Sequence, residues 1–157
     1  MTSGKVISLH IHPTEPGAPL LSVDFFKIVE NKGIQGNGRM FNRISKRTGK
    51  PTKRQVSLIE REQLAKHAQA MGHPGFASGS VRSNIETIGI HLRDHIGKQI
   101  QIGDSILFLY ELRTPCQKMD DLAPGLRKSM ENGHQGVMAQ VVKSGEIHLG
   151  DEITPLP

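Results

Sequence analysis

Apolar and polar positions alternate along residues 4–12, GKVISLHIH, as on a half-buried strand, which puts Val6, Ser8, His10 and His12 on one side. The prolines of PTEPGAP predict a loop, and LLSVDFFKIV over residues 20–29 reads as a second strand. NKGIQGNG then brings three glycines and two asparagines, a turn in which positive φ is expected. The clearest helical pattern is LIEREQLAKHAQAM, residues 58–71. Ser57 and Glu60 have capping-box spacing ahead of it, Ile59, Leu64, Ala68 and Met71 form an apolar stripe, and Gly72 is placed to stop it. GHPGFASGS reads as loop and VRSNIETIGI as extended or irregular.

From Lys98 onward the period is that of strands. KQIQIG and SILFLYEL flank Gly103-Asp104 as a hairpin. DDLAPGLRKSMEN reads as one short helix with Pro124 in its first turn and Gly133 closing it. GVMAQVVKS, a turn at Gly145, EIHL, Gly150-Asp151 and EITPL form a second β unit, in which the repeated Gly-Asp pair predicts another hairpin. Many short strands and two helices predict a mainly β (α+β) fold: a closed β-barrel with helices packed outside. No linker or internal repeat interrupts the pattern, so residues 1–157 are expected to form one domain.

Composition narrows the function classes. No apolar run approaches the roughly 20 residues of a membrane span, and the N-terminus carries no signal-peptide core, so a soluble cytoplasmic protein with no membrane partner is expected. The single cysteine, Cys116, excludes an intramolecular disulfide and any multi-cysteine zinc site. A formal charge of +5 points to anionic partners, either nucleic acid or a phosphate-bearing small molecule. Six cations without an acid lie in RISKRTGKPTKR, residues 43–54, which is either a solvated loop or one wall of an anion site. An aromatic content of 4%, with no Trp, leaves little for bases to stack on, so nucleic acid is not the expected partner.

The candidate chemistry is sparse. His10 and His12 could share a metal, but no third ligand is evident nearby; His91 and His95 have helical spacing without the glutamate of HExxH. GIQGNG is not the GxGxxG of a dinucleotide fold. Lys53 and Arg54 precede the expected start of the helix, where amide groups and the helix dipole favour an anion. Arg82 and Asn84 alternate onto one face if the segment is extended, as a pair for a polar ligand; otherwise Arg82 pairs with Glu60 or Glu86, and Asn84 completes a turn. Cys116 follows Pro115, which cannot donate to a sheet, so the thiol is expected at a strand end. Arg113, Lys118 and Arg82 would favour its thiolate, the form that attacks sulfur or binds a soft metal.

Taken in order, the segments GIQGNGR (33–39), RQVSLIE (54–60), PG (74–75), VRSNIETIGIHL (81–92), IGKQIQIGDSILFL (96–109), RTPCQKM (113–119), QGVMAQVV (135–142) and GEIHLGDEI (145–153) resemble the MOSC family. These domains close molybdenum cofactor sulfurases and also occur as stand-alone bacterial proteins. The resemblance implies a mixed β-barrel and a molybdenum cofactor (molybdopterin), but no pyridoxal phosphate. It implies that Cys116 carries sulfur or acts as a molybdenum ligand, and that Arg54, Arg82 and Asn84, beside Lys53 and Arg113, hold the phosphate and pterin. It further implies either a persulfide sulfurtransferase or a molybdenum-dependent oxidoreductase that reduces small N-hydroxylated substrates, with a sulfur-donor or electron-donor protein as partner. A non-enzymatic basic barrel holding a phosphate-bearing ligand or nucleic acid is the alternative. One piece departs from the pattern: where the family reads Gly-Asp-Arg/Lys-His, this chain has Gly36-Asn37-Gly38-Arg39.

Overall fold

The structure, a computed structural model, describes residues 3–157. Its strands are β1 (Gly4–Ile11), β2 (Leu21–Val23), β3 (Phe25–Val29), β4 (Gly33–Ile34), β5 (Val56–Glu60), β6 (Ile85–Ile88), β7 (Gln99–Ile102), β8 (Ser105–Leu112), β9 (Val137–Lys143), β10 (Gly145–His148) and β11 (Glu152–Pro155). The helices are α1 (Arg61–Met71), α2 (Gln117–Leu122) and α3 (Leu126–Ser129). Strands β11-β7-β8-β9-β5-β6-β1 pair in that order, and β1 pairs back to β11, which closes a barrel; β2 extends from β1. A second sheet, β10-β3-β4, lies beside it. The barrel is mixed because β5 and β6 run parallel, and α1 makes the crossover that a parallel pair requires. None of the described helices is long and apolar enough to cross a membrane.

Alternation of inward residues fills the barrel with Leu58, Ile85, Ile100, Leu107, Leu109, Val137, Val141 and Ile153, while Phe26, Ile28 and Ile147 join from the small sheet. A second apolar cluster outside the barrel, with Ile59, Leu64, Phe76, Val81, Met119, Leu126 and Met130, holds the three helices against β5. Strand β5 is therefore covered on both faces. That corrects the expected helix start: Val56–Glu60 is strand, α1 begins at Arg61, and Glu60 makes no side-chain cap bond. Ser57 bonds Asn84 instead, and Glu60 Oε1 accepts the Leu92 N–H at 2.7 Å. The helix ends as expected at Gly72, whose left-handed φ of 66° lets its N–H reach the last carbonyls.

Three more expectations are corrected. The segment 20–29 is two strands broken at Asp24. Pro124 lies between α2 and α3 rather than inside one helix, because its missing N–H and ring end the turn that precedes it. Gly150-Asp151 closes no hairpin, since β10 pairs with β3 whereas β11 pairs with β7 and β1. The β7–β8 hairpin at Gly103-Asp104 forms as expected.

Candidate functional site

Chemistry converges at one end of the barrel, where β1 and β8 run out. Strand β8 stops at Leu112; buried Pro115 then leads to Cys116, an exposed thiol at the start of α2. Arg113 is held just past the strand: its N–H donates to Gly136 C=O, and its guanidinium donates to Ser83 Oγ at 2.9 Å and Arg82 C=O at 3.2 Å. Those contacts fix the loop that carries Arg82, a non-glycine residue at a φ of 64° whose Nη1 donates to Ala18 C=O. Glu86 is already engaged by Arg61 at 3.1 Å, and neither it nor Glu60 pairs with Arg82.

The resulting cleft is about 240 Å³ and is lined by His12, Glu15, Arg39, Met40, Arg82, Arg113, Cys116, Lys118 and Met119, among others. A larger depression of about 740 Å³ lies between β3, β10 and the β7–β8 turn, but it holds no thiol and none of these cations. The smaller cleft is the candidate site, because a nucleophile and four cations face one volume. Its electrostatics follow from that crowding. Burial first, then Arg82, Arg113 and Lys118, push His12 from 6.5 down to about 4, so it is neutral at pH 7. Burial, with Arg54 and Arg82, lowers Arg113 to about 10, and only Cys116 among its neighbours opposes that. An anion entering the cleft meets opposite charge already in place.

The structure divides the expected site residues. Arg82, Arg113 and Cys116 line the cleft together. Asn84 lies beneath it, buried: its Oδ1 accepts from Ser57 N–H and Oγ, and its Nδ2 donates to His10 C=O and Asn37 Oδ1. It therefore does not share a ligand face with Arg82. Lys53 and Arg54 are exposed and do not line the cleft, although Arg54 is near enough to depress Arg113. Nor do they stand at a helix N-terminus, since β5 separates them from α1.

His10 and His12 do not act as a pair. A register shift between Val6 and Ser8 breaks the alternation of β1, so Val6 and Leu9, three apart, both reach the core. His10 is buried with Nδ1–H donating to Ser83 C=O, whereas His12 lies past the strand end and opens to the cleft. No group of three or more His, Cys, Asp or Glu suited to a metal occurs among the described residues.

A family model described as MOSC domain matches residues 35–154, a span that carries β5 through β11 and the thiol. The chain belongs to the MOSC domain family. Solved structures agree on the fold of this MOSC domain. It is similar to the YuaD protein from Bacillus subtilis, with a TM-score of 0.78 and 20% identity over 98% of this chain and 96% of that one. It is also similar to YiiM from Geobacillus stearothermophilus and YiiM from Escherichia coli, each with a TM-score of 0.71 and 16% identity. Those alignments cover 98% of this chain and 75% and 70% of the YiiM chains. Comparison with curated proteins found no match.

Within the MOSC frame, the departure at Gly36–Arg39 has a structural reading. Asn37 is buried, and its Oδ1 accepts from His12 N–H at 2.7 Å and from Asn84 Nδ2 at 3.2 Å. A carboxylate could accept both bonds; the amide accepts them without adding negative charge beneath the cleft. Gly38 sits where a Cβ would meet the Pro13 carbonyl oxygen at 2.6 Å, and the tight turn delivers Arg39 to the lining. Sequence reasoning did not find His12 and Arg39 as cleft residues. His12 was hidden because the strand ends one residue before it, at Ile11, and Arg39 had only the family departure to mark it.

Proposed function

We propose that this MOSC domain binds a molybdopterin-type cofactor in the Cys116 cleft and uses the thiol either to carry sulfur or to approach the metal. One observation carries the reading: the chain's only thiol shares a cleft with Arg39, Arg82, Arg113 and Lys118, against the single acid Glu15. The donor set fits the group, since guanidinium and ammonium donors suit a terminal phosphate and a thiolate suits a soft metal. When bound, the cofactor supplies a molybdenum centre for sulfur acceptance or two-electron reduction.

The chain's residues have separate tasks. Arg82 and Arg113 are held by carbonyls and Ser83, so their remaining donors face the cleft with little conformational freedom to lose. Lys118, the second residue of α2, adds mobile charge beside Cys116. Asn84 and Asn37 position His12, and His12, neutral at pH 7, presents an uncharged ring that a bound phosphate would make more basic. Arg54 acts at longer range, by raising the positive potential around Arg113. In the sulfur-carrier form, the Cys116 thiolate attacks a sulfane sulfur and becomes a persulfide, and the donor's leaving group departs with the electron pair of the broken S–S bond. In the reductase form an external electron donor is required, because the chain offers no second redox group.

Native mass spectrometry with metal analysis tests the proposal, on protein expressed with molybdate in a host that makes the cofactor, beside Cys116→Ser. A molybdenum-bearing or sulfur-bearing adduct that is lost or depleted in the variant is the expected result. Identical bare masses for both proteins would overturn it.

A further inference from the structure

We propose that the chain associates with a second copy of itself as a two-fold dimer, the basic hairpin of each copy lying in the acidic groove of the other. This inference is independent of what the Cys116 cleft binds. The basic run is not a solvated coil. Ile44 and Pro51 form an antiparallel bridge, Ser45 N–H donates to Lys50 C=O at 2.9 Å, and Thr52 N–H donates to Arg43 C=O at 3.0 Å. The run is therefore an ordered hairpin carrying six cations and no acid. Among the described residues, none of those cations enters an ion pair.

The complementary surface is the depression of about 740 Å³ beside the small sheet. Asp104, Glu146 and Asp151 line it, with Lys27 as the one lysine or arginine and the His148 ring beside Glu146 and Asp151. On a chain of net charge +5, three carboxylates gathered in one depression separate charge rather than scatter it. Apolar surface accompanies both halves. Phe25 is 50% exposed and stacks on the groove's His148, Leu149 next to it is 44% exposed, and Ile44 at the foot of the hairpin is 50% exposed. Charge flanking apolar anchors is the composition of a specific interface, not of a surface built for solvent alone.

Placement makes the pairing reciprocal. Asn42 N–H donates to Lys32 C=O at 2.8 Å, and Gln55 Nε2 donates to Asn31 Oδ1 at 3.2 Å. The foot of the hairpin therefore rests on the turn that follows β3, the strand that walls the groove. Hairpin and groove occupy adjoining ground, so one two-fold rotation brings each hairpin to the other's groove and closes the assembly. A second copy is favoured over single-stranded nucleic acid because the hairpin carries no aromatic residue on which a base could stack.

Sedimentation velocity on the intact chain tests the proposal, at about 50 mM and about 500 mM salt, since screening at the higher value removes most attraction between exposed charges. Two variants reverse the charge of one partner surface each: Lys46→Glu with Arg47→Glu and Lys50→Glu, and Asp104→Lys with Glu146→Lys. Thermal melts and circular dichroism establish that both fold. The expected result is a wild-type dimer at low salt that dissociates at high salt. Each variant alone associates at least about tenfold more weakly, and an equimolar mixture of the two recovers the dimer as a heterodimer. A wild-type monomer at roughly 100 μM and low salt would overturn the proposal. So would a groove variant that dimerises like wild type, which would assign the hairpin to another occupant such as an acidic protein or a nucleic acid, or a mixture that stays monomeric.

Discussion

Replacing Arg82 by glutamine isolates one contributor to the field inside the cleft and reads it out on His12. The ring is displaced from 6.5 to about 4, with burial as the largest cause and Arg82 the first of three cations. That displacement corresponds to about 3.4 kcal/mol at about 1.36 kcal/mol per pH unit, which solvent screening at this half-buried position reduces to about 1–2 kcal/mol of effective interaction. Burial survives the substitution, so only the Arg82 share is recovered. A single cation facing the ring across a partly solvated cleft contributes on the order of 1 kcal/mol, or about 0.7 pH unit. His12 in Arg82→Gln should therefore titrate about half to one pH unit higher than in wild type. Lys118→Gln should move it in the same direction by less, because Lys118 is the last of its contributors. Imidazole ¹⁵N shifts followed between about pH 3.5 and 8 measure this directly, in a buffer free of phosphate. A wild-type His12 that titrates near 6.5, or one that does not move in Arg82→Gln, would refute the convergence of cations on this ring. The sign for stability follows from the lowered value: His12 supports folding above about pH 6.5, and that support is lost as pH falls toward 4.

Other expectations follow from the packing. Asn84→Ala should destabilise the fold by about 2–3 kcal/mol, seen as a lower urea midpoint, because it strands the buried Ser57 N–H and removes the brace on Asn37. Gly136→Ala should cost about 3 kcal/mol or more by the same assay, since a Cβ there would run into the Leu58 carbonyl oxygen at a φ of 75°. His67 is lowered by burial; its Nδ1 accepts from Ser129 Oγ and its Nε2–H donates to His134 C=O, pinning α1 to α3. Protonation would cost the Ser129 bond, so stability should fall as pH drops below about 6.5, and His67→Gln should flatten that slope in thermal melts.

Much of the barrel was legible in the sequence because its strands are short, alternating and bounded by glycine. What misled was local chemistry overruled by packing. Ser57 and Glu60 have the spacing of a capping box, but residues 56–59 are all buried, and a segment covered on both faces is more stable as a central strand. The end of β1 at Ile11, invisible in the letters of GKVISLHIH, separated His12 from His10 and left it opening to the cleft. Cys116 was readable, since Pro115 after an aliphatic strand marks an end, and the thiol is exposed there. The setting of Arg54 was not, because the helix start it was expected to precede lies beyond β5.

Molybdenum and phosphorus retained per protomer is the most direct measure of whether the cleft binds the cofactor, taken on protein purified from a cofactor-producing host. Arg82→Glu with Lys118→Glu reverses charge inside the cleft, while Lys46→Glu with Lys50→Glu makes the same net change on the hairpin outside it. Wild type and the hairpin variant should both retain molybdenum and phosphorus in equal amounts, and the cleft variant should lose at least about nine-tenths of both. A cleft variant that retains them, or a wild type that carries neither, would contradict the account.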